Sequence, residues 1–294
     1  MKTAVMTDSN SGISMQEAES LGIFMMPMPV IIDGETRYEG ADLTHDSFFG
    51  ALTGGRDVST SQPSPGDLMD HWDKILASGY DELIYIPMSS GLSNSCATAI
   101  SLSAEYDGKV QVADNHRISV TMRTSIQEAK RYADNGISAA EIKKRLEENA
   151  YNASIYIAVD TLEYLKKGGR VTPAGAALGA VLNIKPILTI QGERLDAFAK
   201  VRGMKKAKLK IVEALQKDFD TRFKNIPAER LRLGAAGAGL SPEEIQDWRS
   251  TLSNAFPQFD VYYDPLSFSI CCHVGPQSYG VGISVLAEES NTPQ

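Results

Sequence analysis

The chain has 294 residues, of which 43% are hydrophobic and 22% charged, and a formal net charge of −8. This suffices for the cores of one large or two medium domains, and the acidic balance argues against nucleic-acid binding through a global basic field. No run reaches the about 18 apolar residues of a membrane span, the apolar stretch at residues 1–7 is too short for a signal sequence, and three cysteines with Cys271 and Cys272 adjacent do not form a disulfide framework, so a cytoplasmic protein not embedded in membrane is expected.

Residues 3–7 read as a buried strand that runs into the polar loop Asp8-Ser9-Asn10-Ser11-Gly12. Asp8 there is a candidate metal ligand or base, or the anchor of an Asx-turn. Ser14 with Glu17 forms a capping box that starts a helix. Residues 22–32 are apolar and extended, and Pro27 and Pro29 favour an edge or loop-like strand. Ser64 with Pro65 opens a helix that buries Leu68, Trp72, Ile75 and Leu76 on one face. A strand at 82–87, a helix at 92–105, a strand at 109–113 and a helix at 118–133 follow, then a capping box at Ser138 and Glu141. Strands separated by helices imply an α/β, doubly wound parallel sheet.

After about residue 150 the texture changes. Strands are expected at 154–159, 186–191, 194–201, 230–236, 259–263 and 267–273. Two pairs are joined as hairpins at Gln191-Gly192-Glu193 and Asp264-Pro265-Leu266. Helices are expected at 162–167, 173–182, 204–219 and 242–255. The reading is two domains: residues 1–150, α/β, and residues 151–294, α+β with a mixed or antiparallel sheet.

Four constellations could carry chemistry. Ser59-Thr60-Ser61-Gln62-Pro63-Ser64 offers hydroxyls that can donate to a carboxylate or phosphate without adding charge, or it merely caps a helix. Ser89-Ser90-Gly91-Leu92-Ser93-Asn94-Ser95 follows a strand and opens a helix, where ligands and anions bind. Ser93 is expected in the first helical turn, although plain capping explains the segment too. On a strand, Ser269, Cys271 and His273 would share one face, and a neutral histidine can donate to a carboxylate. The other histidines show no zinc-ligand spacing to it. Lys166, Lys167, Arg170, Lys200, Arg202, Lys205, Lys206, Lys208 and Lys210 form a local basic patch, suited to an acidic partner or a phosphate, or a solvated helix face.

Together these segments resemble the DegV family almost end to end. The resemblance rests on Thr7-Asp8-Ser9, Thr60-Ser61-Gln62-Pro63-Ser64, Ser89-Ser90-Gly91-Leu92-Ser93, the run from Thr161 to Arg170, the run from Leu182 to Leu188, Val201-Arg202-Gly203 and His273-Val274-Gly275-Pro276. It implies two α/β-type domains with a long-chain fatty acid buried between and within them, and no cofactor or metal. Some family members are binding subunits of a bacterial fatty-acid kinase. They present the carboxylate to a separate ATP-dependent kinase subunit that makes an acyl phosphate for phospholipid synthesis. By position, the resemblance implies that Thr60, Ser61 and Ser93 hold the carboxylate with His273 assisting and Ser90, Gly91 and Asn94 beside them. Arg170 and Arg202 become candidates for partner docking. The Met25-Met26-Pro27-Met28 stretch is a candidate tunnel lining. The chain is then a binding subunit rather than an enzyme; a lipid sensor without a kinase, or an enzyme for a small anionic substrate, are the alternatives. Asn94 and Gln277 stand where the family usually has glycine, and a larger residue there narrows a site or forbids positive φ.

Overall fold

The computed structural model describes residues 1–170, 183–191 and 194–287. The helix expected at 173–182 and the turn at Gly192-Glu193 lie outside them. The described strands are β1 (Thr3–Asp8), β2 (Phe24–Met26), β3 (Pro29–Ile32), β4 (Glu35–Tyr38), β5 (Val58–Thr60), β6 (Glu82–Ile86), β7 (Val110–Val112), β8 (Ala153–Ala158), β9 (Ile184–Ile190), β10 (Asp196–Arg202), β11 (Leu231–Ala238), β12 (Tyr262–Pro265) and β13 (Ser278–Val285).

The first sheet has the order β2-β1-β6-β7 and all its pairs are parallel. Because successive side chains alternate across a strand, β1 and β6 feed two cores. Ala4, Met6, Leu83 and Tyr85 pack against Trp72 of the helix Pro65–Ala77 and Cys96 and Ala99 of the helix Ser95–Ser103. Val5, Ile84 and Ile86 pack against Met122 and Ile126 of the helix Ser119–Asp134 and Ile142 of the helix Ala139–Glu148. The sheet is doubly wound, as expected.

Ser64, Ser14 and Ser138 each accept a backbone N–H at the start of their helices. The return halves of the two expected boxes are diverted. Glu17 pairs with Arg123 and Glu141 with Arg145. Full capping boxes form instead at Thr44–Ser47 and Ser241–Glu244.

The second sheet has the order β10-β9-β8-β13-β11-β12, antiparallel except for the parallel pair β11–β12. Tyr156, Ala158, Leu233 and Ile283 bury one face under the helices Met204–Asp220 and Pro242–Ala255, through Ile211, Leu215, Trp248 and Leu252. Ile157, Val159, Leu188 and Ala236 on the opposite face join a core that extends to residues 30–58. The helix Ser119–Asp134 thus lies between the two sheets. Gly282 makes this approach possible, because a Cβ there would overlap Val120 and Thr121.

Three expectations are corrected here. Residues 22–32 are two strands in two sheets: β2 is an edge of the first, while β3 is the centre of a three-stranded antiparallel sheet, β4-β3-β5, that the sequence reading did not resolve. Residues 267–273 are not a strand but the helix Phe268–Val274, so the Asp264-Pro265-Leu266 hairpin does not exist and the strand expected at 259–263 shifts to β12. Phe268, Ser269, Cys271, Cys272 and Val274 are all buried. Burial of these five of its seven residues, with only Ile270 and His273 partly exposed, erases the periodicity that separates helix from strand in a short apolar run. Finally, β13 was missed, although it sits between β8 and β11.

At the seam, Arg123 donates to Asp264 of β12 at 3.2 Å and also pairs with Glu17. Two carboxylates share one guanidinium, and burial pushes Asp264 from 3.8 up to about 7 despite Arg123. Between those values the folded chain keeps a proton that the unfolded chain has released. Asp264 therefore contributes less to stability as pH rises across that window. Asp264→Asn is expected to flatten the fall by at most about 1.4 kcal/mol per pH unit, read as urea midpoints at about pH 5 and about pH 8; an unchanged slope would contradict the assignment.

Candidate functional site

Thr60 ends β5, where β3 pairs with it through Val30. The helix Phe268–Val274 packs beside this strand. Its geometry puts Ser269, Ile270, His273 and Val274 toward one cavity and Cys271 into the core, where it is 1% exposed. The cysteine is thereby removed from the histidine's face, contrary to the strand reading. The helix is anchored by Phe268 N–H donating to Glu39 (2.9 Å), by Ser267 Oγ donating to Asn10 (2.8 Å), and by Phe268 stacked on Phe48 with centroids 4.4 Å apart.

The result brings His273 Nε2 within 3.0 Å of Thr60 Oγ1, across 213 residues of sequence. Burial first, and the Arg170 charge second, push His273 down to about 4, so the ring is neutral at pH 7. Its Nδ1 is buried and has no hydrogen-bond partner among the described residues. Gly168 closes that side, since any Cβ there would overlap the ring. Gly169, at φ 66°, ends the helix Glu163–Gly168 and turns Arg170 to the cavity. Gly168→Ala is expected to displace the imidazole from Thr60 and to weaken ligand binding about tenfold, equivalent to about one hydrogen bond to a charged group. Titration of the variant checks this, and unchanged affinity would show that the Thr60–His273 contact does not serve binding.

Ser93 lies two residues before the helix Ser95–Ser103, not in its first turn as expected. The loop folds on itself: Leu92 and Ser93 donate to Ser89 O, and Ser95 N–H donates to Ser93 Oγ at 3.2 Å. This turn aims Ser93 at the cavity and spends the preceding residues on structure.

The cavity has two chambers. The mouth, with about 560 Å³ of empty space including its opening, is lined by Thr60, Ser61, Gln62, Ser93, Arg170 and His273, with Met28, Met88 and Ser269. The inner chamber, with about 460 Å³ of empty space counted in the same way, is lined by carbon side chains such as Ile155, Ile157, Ile190, Ala236 and Leu266, with Ser119 the one polar side chain among the described residues that line it. Leu92, Ile118, Leu195, Ile270 and Val274 line both chambers and mark where they meet.

Thus Thr60, Ser61, Ser93, His273 and Arg170 converge. Ser90, Gly91 and Asn94 do not line either chamber: Ser90 N–H donates to Asp114, Gly91 N–H to Ser89, and exposed Asn94 stands at the helix start with no side-chain cap bond. Arg202 is exposed at the end of β10, opposite Ile184, and lines neither chamber. Of the methionine stretch only Met28 reaches the cavity, while Met25 and Met26 enter the two cores of the first sheet. Asp8 accepts from Asn10 and Met88 amides and ties β1 to the loop after β6, while burial pushes it up to about 6. Gln277 adopts positive φ, 54°, and its side-chain amide donates to Gly239 O and Glu244; of the two expected consequences of losing glycine, a narrowed site or a forbidden positive φ, the second does not hold. No group of three side chains among the described residues could hold a metal, and no described helix is long and apolar enough to cross a membrane.

Residues 2–286 match the family model described as an uncharacterised protein, DegV family. A DegV domain-containing protein of Listeria innocua is 31% identical, over 97% of this chain and 99% of its own. Among solved structures, a Thermus thermophilus DegV family protein described for its fatty-acid binding is similar, with a TM-score of 0.86, 27% identity and coverage of 97% of this chain and 100% of that one. A Bacillus subtilis DegV, described as a fatty acid binding protein, has a TM-score of 0.83 and 29% identity, covering 97% of this chain and 99% of that one.

Proposed function

The chain belongs to the DegV family, and from that premise we propose that it binds a long-chain fatty acid, carboxylate at the mouth and tail in the inner chamber. The observation that carries this reading is an almost wholly carbon-lined chamber that meets a mouth holding the Thr60–His273 pair, the hydroxyls of Ser61 and Ser93, and Arg170. Apolar lining supplies affinity through the tail, while a few placed polar groups fix orientation. With its proton on Nε2, neutral His273 donates to Thr60 Oγ1, and the Thr60 hydroxyl proton is left for the carboxylate. Nδ1 then holds a lone pair rather than a stranded N–H, the cheaper arrangement in a buried site. Ser93 redirects its hydroxyl by rotation about Cβ–Oγ, Ser61 adds a donor at the rim, and Arg170 adds positive charge.

The mouth draws on both sides of residue 150: Thr60, Ser61 and Ser93 from one, Arg170, Leu195 and His273 from the other. We therefore keep residues 1–150 and 151–294 as the two proposed domains, with the acyl chain between them. Native mass spectrometry of freshly purified protein, followed by identification of released lipid, tests the binding. One fatty acid per chain is expected; an empty protein that also refuses added palmitic acid would overturn the reading.

In its finer form the proposal has the carboxylate presented to a separate ATP-dependent fatty-acid kinase subunit in the cytoplasm. Arg170 and Arg202 are the docking or phosphate-handling positions. The family resemblance and the position of Arg170 at the rim support this part. Arg202→Glu separates it from a lipid sensor, because Arg202 is exposed and lines neither chamber: acyl-phosphate formation by a kinase should fall at least about tenfold with lipid content unchanged, as like charge at a docking surface costs association.

A further inference from the structure

Segment 114–119 holds two non-glycine residues in the left-handed region, His116 at φ 51° and Ser119 at φ 54°. Such strain persists where the surroundings enforce it and collects at functional sites. Ser119 is the first residue of the helix Ser119–Asp134, only 6% exposed, and its Oγ has no hydrogen-bond partner among the described residues. The residue before it, Ile118, gives the helix no side-chain cap. The helix N-terminus thus brings free amides and a favourable field for an oxygen atom to the wall of a chamber whose other described lining side chains are carbon. Ile118 lines both chambers, so Ser119 stands just past their junction, beside the middle of a chain whose carboxylate is at Thr60.

We propose that Ser119 and the uncapped helix start select an acyl chain carrying one oxygen, a hydroxyl or oxo group, partway along its length. This rests on the fatty-acid reading above and names a subclass of that ligand. A plain saturated chain leaves the Ser119 hydroxyl unsatisfied. A chain oxygen at the right carbon both accepts from it and meets the helix terminus.

The test titrates delipidated protein with palmitic acid and with its mid-chain monohydroxy isomers, using the native chain, Ser119→Ala and Ser119→Gly. Glycine accepts φ near 54° without strain, so Ser119→Gly removes the hydroxyl without threatening the fold. The native chain should favour one positional isomer over palmitic acid by about tenfold, the worth of one good buried hydrogen bond, and both variants should lose that preference while still binding palmitic acid. Palmitic acid binding with no isomer preferred, or a preference that survives Ser119→Gly, would overturn this inference alone. Failure of every acid to bind would overturn the fatty-acid reading as well.

Discussion

Gly280→Phe is expected to weaken palmitic acid binding by at least about a hundredfold while leaving a short acid such as octanoic acid nearly unaffected. Gly280 lies on β13 opposite Ala236 of β11 and Ile157 of β8, on the wall of the inner chamber. A Cβ there would meet Ala236 Cβ at 3.6 Å and Ile157 Cγ1 at 3.8 Å, ordinary contacts, so the backbone accepts a side chain. The ring beyond that Cβ occupies the space proposed for the tail. Excluding about six methylenes at about 0.8 kcal/mol each removes about 5 kcal/mol; a chain that partly refolds in the mouth recovers some of it. Overpacking costs the fold about 1–3 kcal/mol, which a thermal melt registers separately. Parallel weakening of both acids would mean that the chamber does not hold the tail.

The second large effect concerns the head group. Thr60→Val combined with Ser93→Ala is expected to reduce palmitic acid affinity about a hundredfold and hexadecanol affinity far less. Valine keeps the shape of a strand-end threonine and removes its hydroxyl. A desolvated carboxylate that loses its donors costs about 1–3 kcal/mol per contact, and His273 Nε2 loses its partner in the same step. Because His273 is held near 4 by burial and by Arg170, it does not become a compensating imidazolium at neutral pH. Calorimetric titration with both ligands decides the point. An equal loss for acid and alcohol would place the carboxylate elsewhere.

Local signals carried the reading wherever one element sufficed. The short apolar runs of β1 and β6, the serine caps and the strand-separated helices state a doubly wound sheet, because run length and capping depend on near neighbours only. The hydroxyl loops around Thr60 and Ser93 were visible for the same reason. The carbon lining was not: Ile118, Leu195, Ile157 and Gly280 are ordinary core residues until the second sheet and the helix Ser119–Asp134 leave a space between them.

What the sequence by itself determined was the classes of the two large sheets, the serine-capped helix starts at Ser14, Ser64 and Ser138, and the hydroxyl-rich character of the loops around Thr60 and Ser93. Tertiary structure alone decided that residues 268–274 coil rather than extend, turning His273 toward Thr60 and Cys271 away. It also decided that β13, with Gly280 and Gly282 in place of larger residues, completes the sheet and makes room for both a helix and a chamber. The physical reason is common to both. In a segment buried on every side the solvent no longer marks one face, so the pattern that reveals local structure is lost, and contacts with distant residues choose the conformation.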